Sequence, residues 1–407
     1  MKRMTWCLIA MMGLLVAAQG PAFGAEKKPL SEVLYEKGML TKEEAAGVQE
    51  TVWAKFIQRV TFSSDLRIRH ESFFKQSDAG EVDRHRQRLR LRLGANVKLQ
   101  NFAVIVQLAS GTGEQVSTNQ SFDNGFGLKA IWIDQAYVTF NSPSAPFLTL
   151  AAGRMKNPFV RHYTSDIVWD DDTNPEGFAQ QFQFKPGDAV IFVNLGEFVL
   201  DEDGGTNHDQ WLMGEQLGAT AQIGSAKATL AAALYQVVNA TEGTFGQPAV
   251  QDGNTRAGGV LLNRYHILDV TLAINATLGE LPVALMGDYV RNLADTTTGG
   301  NGIGAATGNV GYQVGAVVGK ASDPGTFEFA YFYKVVETDA TLADLSDSDF
   351  GDGGIDRRGH IVWMAYSPTK FVQAKVKFFR TSSDGAIPGP GVKDDINRLQ
   401  ADVAIKF

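Results

Sequence analysis

A stretch of strict alternation from Arg84 to Leu99 constrains the fold of this chain more than any other feature. Every second residue in its first half is arginine, and leucine, alanine or valine fills the alternate positions from Leu89 on. In a helix, successive members of such a series would point about 200° apart, and no apolar stripe would form. In a strand, the same spacing puts the basic side chains on one face and the apolar ones on the other. The stretch therefore predicts a β-strand with one cationic and one apolar face.

Residues 1–24 have the pattern of a secretory signal peptide. Lys2 and Arg3 precede an apolar core, and a small-x-small cleavage site ends at Gly24. A membrane anchor is the alternative, but a spanning helix needs about 20 apolar residues and this core is shorter. We expect export, with cleavage before Ala25.

Composition narrows the possible functions. The one cysteine, Cys7, lies in the signal peptide, so the mature chain would have no disulfide, thiol catalyst or cysteine-ligated metal. Removing Lys2 and Arg3 changes the net charge from −8 to −10, which argues against nucleic acid as a partner. No later segment has about 18 consecutive apolar residues, so this chain would have to cross a membrane with strands. We predict no cofactor and no metal.

Residues 25–57 are the one convincingly helical region. Ser31 can cap a first short helix that ends near Gly38, and Thr41 to Glu44 form a capping box that opens a second. We expect a helical periplasmic segment, and a plug inside a pore is the alternative.

Alternation of apolar and polar residues resumes at Val60 and continues to the end of the chain, which predicts an all-β unit over residues 58–407. We count about sixteen strands, among them segments over 210–223, 260–275, 281–292 and 310–319, and a polar tip over Lys75 to Val82 between the first two. Connections alternate between short turns and long polar loops. The long ones are 111–129, 156–176, 201–209, 238–257, 293–309, 337–359 and 381–393. An even strand number with this asymmetry is typical of a transmembrane antiparallel β-barrel of the outer membrane.

The last strand also alternates, and it ends in the aromatic residue Phe407. A terminal aromatic residue on such a strand resembles the signal that the outer-membrane assembly machinery recognises. We therefore expect that machinery, together with outer-membrane lipid and lipopolysaccharide, among the partners.

From about Leu30 to Phe407 the chain resembles the bacterial "putative porin" family of sixteen-stranded outer-membrane barrels. The matching segments are DLRIRHE (65–71), RQRLRLRLG (86–94), IDQAYV (133–138), GRMKNPF (153–159), WDDDTNPEG (169–177), LPVALMGDYVRN (281–292), DATLADLSDSDFG (339–351) and the terminal LQADVAIKF. The resemblance implies diffusion of small hydrophilic solutes or ions rather than catalysis, and general porins suggest a homotrimer.

In a barrel, the alternating arginines have to face the interior. An arginine on the lipid side costs about 2–4 kcal/mol near the bilayer midplane, so several would cost as much as a whole fold is stable by. Two arginines of the preceding strand have the same parity and should pair beside them. The predicted pore-lining residues, called the arginine ladder below, are Arg67, Arg69, Arg84, Arg86, Arg88, Arg90 and Arg92.

The third extracellular loop carries a cluster of acids, and in general porins the third loop folds inward to form the constriction. We expect these acids to face the arginine ladder and to create a transverse field that orients dipolar solutes. The alternative is an exposed loop tip that binds divalent ions of the lipopolysaccharide layer. The acids are Asp166, Asp170, Asp171, Asp172 and Glu176.

Other interpretations stay open at this point. The arginines suit a channel that prefers anions such as phosphate or organic acids, and an outer-membrane enzyme or an adhesive barrel is less favoured. Asp347 to Asp352 has the acid density of a calcium loop, but Gly351 replaces the third ligand and an ordinary acidic loop is favoured.

Overall fold

The computed structural model describes residues 34–39, 41, 58–77, 80–205, 208–243, 253–257, 259–294, 308–383 and 395–407. The signal peptide and the second helix that the sequence predicts lie outside these ranges. Before the barrel, the described residues contain a helical turn at 34–36, and Gly38 follows it with a positive φ of 67°. No helix within these ranges is long and apolar enough to cross a membrane.

The large sheet consists of seventeen strands, one of which, Gln120–Ser121, is only two residues long. The other sixteen form the wall of a closed antiparallel barrel, because β16 pairs with β1 from Asp65↔Lys406 to Gln76↔Asp395. In chain order they are β1 Val60–Ser77, β2 Gly80–Leu99, β3 Phe102–Ser110, β4 Ile131–Asn141, β5 Leu148–Arg154, β6 Glu176–Phe184, β7 Val190–Asp201, β8 Gln210–Ile223, β9 Ala226–Val238, β10 His266–Leu278, β11 Leu281–Asn292, β12 Val310–Gly319, β13 Thr326–Val336, β14 Arg357–Ser367, β15 Val372–Ser383 and β16 Asp395–Lys406.

The predicted all-β barrel and its strand number are confirmed. The predicted bounds of β8, β11 and β12 agree with the observed ones, because each strand is an unbroken alternation that ends at a turn or a polar loop. Short turns join the strands at one end of the barrel, and the long loops lie at the other.

Two local predictions are wrong. The polar tip over residues 75–82 is largely strand, because backbone pairing of β1 with β2 continues through Lys75↔Val82 to Ser77↔Gly80. The backbone ladder needs no apolar side chains, so a polar sequence can extend it beyond a membrane. The strand predicted from Val260 begins only at His266, because Val260–Leu261 forms a separate small hairpin with Arg256–Ala257.

The outer surface of the wall is apolar. On β9, Leu230 and Leu234 are 54% and 49% exposed, while Ala231 and Ala233 between them are buried. An exposed band of this kind, alternating with a covered inner face, is the pattern of strands in lipid. On β2, Leu93 is likewise 43% exposed.

Candidate functional site

The loop between β5 and β6, residues 155–175, crosses the barrel interior and is called the third loop below. Near its start it is bound to β8, where Val160 N donates to Gln216 Oε1 (2.7 Å) and Gln216 Nε2 donates to Val160 O (3.0 Å). Near its end it reaches β2, where Arg92 Nη2 lies 2.5 Å from Asp172 Oδ1. Because β2 and β8 lie on different sides of the closed wall, the chain between these contacts spans the interior.

The middle of the third loop is bound to two further strands. Ser165 donates a hydrogen bond to the Asp288 carboxylate on β11. On β12, Gln313 Nε2 donates to Thr164 Oγ1 at 3.1 Å. The loop is thus attached along its length rather than only at its ends.

Aromatic packing fixes the third loop against the wall. Phe159 and Trp169 of the loop make edge-on contacts with Phe198 on β7 and Tyr235 on β9, with ring centroids 5.0–6.2 Å apart. Gly214 on β8 leaves room for Phe159, because a Cβ added there would lie 2.9 Å from its Cε2 and overlap the ring. Edge-to-face pairs of this kind contribute about 0.5–1.5 kcal/mol each beyond the area they bury.

One of the five predicted acids, Asp172, contacts the arginine ladder. Besides its pair with Arg92, it accepts hydrogen bonds at 3.0 Å from the backbone N and the Oγ1 of Thr118. Asp172 therefore joins the third loop to the loop between β3 and β4 (residues 111–130) as well as to the wall.

Three other predicted acids pair with arginines outside the ladder. Asp166 and Asp171 lie 3.7 and 3.2 Å from Arg161, which belongs to the same loop. Glu176, the first residue of β6, lies 2.6 Å from Arg154 on β5. Three of the five acids that were expected to face the ladder are thus paired with nearby arginines instead.

A second loop also lies inside the barrel. Residues 337–356, called the seventh loop, connect β13 to β14 and pack on the third loop. Asp170 N donates to Leu345 O (2.6 Å), and Ser348 N donates to the Asp170 carboxylate (2.8 Å). Asp347 N donates to Asp166 O at 3.0 Å. The sequence indicated no inward position for this loop.

The arginine ladder is neutralised mainly by acids that the sequence analysis did not select. Arg90 lies 2.5 Å from Asp65, which precedes the ladder on β1. Arg69 lies 2.7 Å from Asp402 on β16 and 3.2 Å from Asp349 on the seventh loop. The wall itself and the seventh loop thus supply most of the opposing charge.

Glu71 is the centre of a buried charge network and is fully covered from solvent. It accepts hydrogen bonds from Arg86 and from Arg398 of β16, whose side chain is also buried. Arg398 reaches Asp349 of the seventh loop as well (2.7 Å) and donates to Ser348 O (3.0 Å). The network therefore connects the barrel wall to the seventh loop.

Parity could have identified part of this network. Asp65 and Glu71 are separated from the ladder residues of β1 by even numbers of positions, so they lie on the same face of that strand. Arg398 and Asp402 share one face of the terminal strand in the same way, and the register places all four side chains on the inner face. The role of Asp349 had no such signal, because it lies in a loop without periodicity.

The three remaining ladder members have other surroundings. Arg67 and Arg88 both donate to Asn119 of the loop between β3 and β4. Arg84 is exposed and lies opposite Phe73 in the register.

Two loop carboxyls are held in the charged form. Burial alone would raise the pKa of Asp172, but the guanidinium groups of Arg92, Arg90 and Arg67 outweigh burial and hold the pKa below its ordinary value. Burial likewise raises the pKa of Asp349, but the charges of Arg69 and Arg398 outweigh burial and hold that pKa well below its ordinary value.

Two other loop carboxyls show the opposite shift. Burial, with the neighbouring charges of Asp171 and Asp347, raises the pKa of Asp166 well above its ordinary value. Burial and the nearby Asp172 and Asp166 do the same to Asp170. Asp166 and Asp170 therefore favour the protonated form, whereas Asp172 and Asp349, beside Arg92 and Arg398, favour the carboxylate.

The acidic segment of the seventh loop is engaged by cations of the protein. Asp347 lies 2.6 Å from the buried Lys334 Nζ, and Asp349 is paired with Arg69 and Arg398. Within the described ranges, no group of three or more histidine, cysteine or acidic residues could hold a metal ion.

The terminal residue Phe407 closes the sheet. Its backbone O accepts from Ser64 N (2.9 Å), and its N donates to Ser64 O (3.1 Å). The residue is 70% exposed, so its ring is accessible at the outer edge of the strand.

The comparisons with known proteins agree on the type of barrel. A family model described as "Putative porin" matches residues 76–256 and 244–407. The structure of Pseudomonas putida OprB at high pH superimposes with a TM-score of 0.56 at 12% identity, over 88% of this chain and 96% of that one. Salmonella typhi OmpF in complex with daunomycin gives a TM-score of 0.50 at 11% identity, over 86% and 97% of the two chains. No curated protein matches.

Proposed function

Since this chain belongs to the "Putative porin" family, a family of outer-membrane channels, we propose that it forms a water-filled channel for passive diffusion of small hydrophilic solutes and ions. The family and the fold are those of a channel rather than of an enzyme. The observation that carries the proposal is the position of the third loop, which crosses the barrel interior and places Asp172 against Arg92.

The selectivity of the channel depends on the charged inner wall. In our proposal the arginine ladder forms the cationic side of the constriction, and the third loop, with Asp172 as its contact acid, narrows the passage. The seventh loop extends this constriction, because Asp349 lies between Arg69 and Arg398. Preorganised charges of both signs across a narrow passage orient dipolar solutes and select ions.

The test is conductance in planar bilayers. Purified, refolded protein should give stable single-channel steps in KCl, and a refolded barrel without conductance would rule out the channel. Under a KCl gradient, Arg86→Ala/Arg88→Ala/Arg90→Ala should move the reversal potential towards cation preference. An unchanged reversal potential would exclude these arginines from the selectivity filter.

A channel that prefers anions is the second candidate. Lys375 and Lys377 on β15 lie over the ring of Trp363, with their Nζ atoms 4.3 and 5.8 Å from its centroid. Neither lysine makes an ion pair with another residue of the described ranges. Their register partners on β16, Asp402 and Gln400, put them on the inner face beside the ladder.

The chain is located in the outer membrane, as its family indicates. We further propose cleavage of the signal peptide before Ala25, a periplasmic helical segment over residues 25–57, recognition of Phe407 by the assembly machinery, and a homotrimer. Mass spectrometry of the mature N-terminus and cross-linking in native membranes test the first and the last of these.

A further inference from the structure

Two largely covered members of the arginine ladder lack a close counter-charge. Arg67 and Arg88 have no carboxylate oxygen closer than 3.8 Å within the described ranges, the nearest being those of Asp402 and Glu71. By contrast, Arg90 lies 2.5 Å from its carboxylate partner. A guanidinium group without a close counter-charge is costly when it is removed from water.

Both side chains are largely covered. The side chain of Arg88 is 8% exposed and that of Arg67 is 15% exposed. In each, the Nε atom is buried and has no hydrogen-bond partner among the described residues. These two N–H groups are therefore unused donors on cationic side chains.

The two guanidinium groups converge on one neutral residue. Arg67 Nη2 donates to Asn119 Oδ1 (2.6 Å), and Arg88 Nη2 donates to Asn119 O (3.2 Å). Asn119 is held there because the adjacent Gln120–Ser121 pairs with Arg88–Leu89 of β2. The arrangement is a pair of cations that share an uncharged acceptor.

The neighbouring acids are already engaged. Asp402 lies 2.7 Å from Arg69, and Glu71 is bound by Arg86 and Arg398. They therefore cannot approach Arg67 or Arg88 without breaking shorter ion pairs. A counter-charge for this pair has to come from solution.

We propose that Arg67 and Arg88, together with Asn119, form a binding site for an oxyanion in the channel interior. Guanidinium groups present planar sets of donors that match the oxygens of phosphate or carboxylate. This inference rests on the proposed channel function and makes it more specific, because solutes that carry a phosphate or carboxylate group would bind during passage.

The test is inhibition of chloride current by inorganic phosphate in bilayers of phosphatidylcholine. These bilayers contain no lipopolysaccharide, so the phosphate groups of that lipid cannot compete for the site. Wild-type current should fall with phosphate in a saturable manner at constant ionic strength. Arg67→Gln/Arg88→Gln should raise the half-inhibitory concentration at least tenfold. The control Lys129→Gln/Arg154→Gln also removes two positive charges, both outside the arginine ladder, and should shift it less than threefold.

A second variant avoids removal of the arginines. Asn119→Asp places a carboxylate between the two guanidinium groups, so phosphate should inhibit at least tenfold more weakly while the barrel keeps its cations. The current of each variant without phosphate serves as its own reference. A difference in gel mobility between heated and unheated samples shows that the variant is folded. Wild type that conducts but shows no saturable inhibition would overturn the oxyanion site and leave the channel intact, whereas the absence of current would overturn the channel itself.

Discussion

Asp172 and Arg92 lie 2.5 Å apart and join the end of the third loop to β2. The same carboxylate binds Thr118, so one acidic side chain connects two loops and one strand. The position of the third loop thus depends on an ion pair at one end and on the contacts of Phe159 and Val160 at the other.

We predict that Asp172→Asn releases the end of the third loop. The substitution leaves Arg92 without its carboxylate, and loss of a charged hydrogen bond costs about 1–3 kcal/mol. Urea unfolding in lipid vesicles should show this loss, and the reversal potential should move towards anions. Asp171→Asn is the control: Asp171 is 74% exposed, and its removal should cost under about 1 kcal/mol. Equal effects of the two variants would show that Asp172 does not hold the end of the third loop.

We predict that Gly214→Ala displaces the other end of the loop. The new Cβ would overlap the ring of Phe159, and overpacking of this kind costs about 1–3 kcal/mol. Limited proteolysis should cut the third loop faster than in wild type. Gly287→Ala is the matched control, because a Cβ at Gly287 would meet no heavy atom within 4 Å. Unchanged proteolysis of Gly214→Ala would show that Phe159 does not anchor the loop.

Within the buried charge network, substitution of Arg398 should lower the free energy of unfolding the most. Arg398→Met leaves Glu71 and Asp349 with fewer counter-charges, and breaking a buried pair by removing one partner costs about 3–5 kcal/mol. The comparison is Lys129→Met, whose partner Asp123 is 51% exposed and whose loss should cost at most about 1 kcal/mol. Denaturation midpoints measure both, and similar values would exclude a structural role for the network.

Mild acid should tighten the contact between the third and seventh loops. The pKa of Asp170 in the folded protein is raised above its unfolded value of about 3.9, so its stabilising contribution is present at low pH and is lost as pH rises through the folded pKa. The lowered pKa of Asp349 acts in the opposite sense, but that contribution is lost only below about pH 4.

Between pH 7 and pH 5 the first effect should therefore dominate. Hydrogen exchange of the loop amides, corrected for the intrinsic rate, should slow on acidification in wild type. Asp170→Asn should reduce the pH dependence, with the remainder carried by Asp166, whereas Asp171→Asn should keep most of it. Persistence of the full pH dependence in Asp170→Asn would assign it to another group.

The strands could be predicted from the sequence because lipid on one side and polar groups on the other impose a period of two along each of them. The bounds of β11 and β12 followed from this alternation and from the turns that end it. The hairpin at Arg256–Leu261 could not be predicted, since it depends on contacts made only once the loop has folded, such as Asn254 Nδ2 donating to Thr341 O (2.7 Å).

The charge partners were predictable only in part. The parity of Glu71 and Asp402 is visible in the sequence, but their pairing with Arg398 and Arg69 requires the register between β1 and β16. The seventh loop has an acidic sequence that suits an exposed tip equally well. Its position inside the barrel depends on the inner-wall cations Arg69 and Arg398, which pair with Asp349.

The join between the first and last strands has a consequence for assembly. A slip of two residues between β1 and β16 would keep every apolar side chain in lipid, so the hydrophobic pattern alone cannot distinguish the two closures. The inner-wall charges distinguish the native register from the slip that brings Glu71 opposite Asp402, because that slip places two carboxylates side by side and separates Arg69 from Asp402. The inner-wall charges therefore help to select the strand register in which the barrel closes.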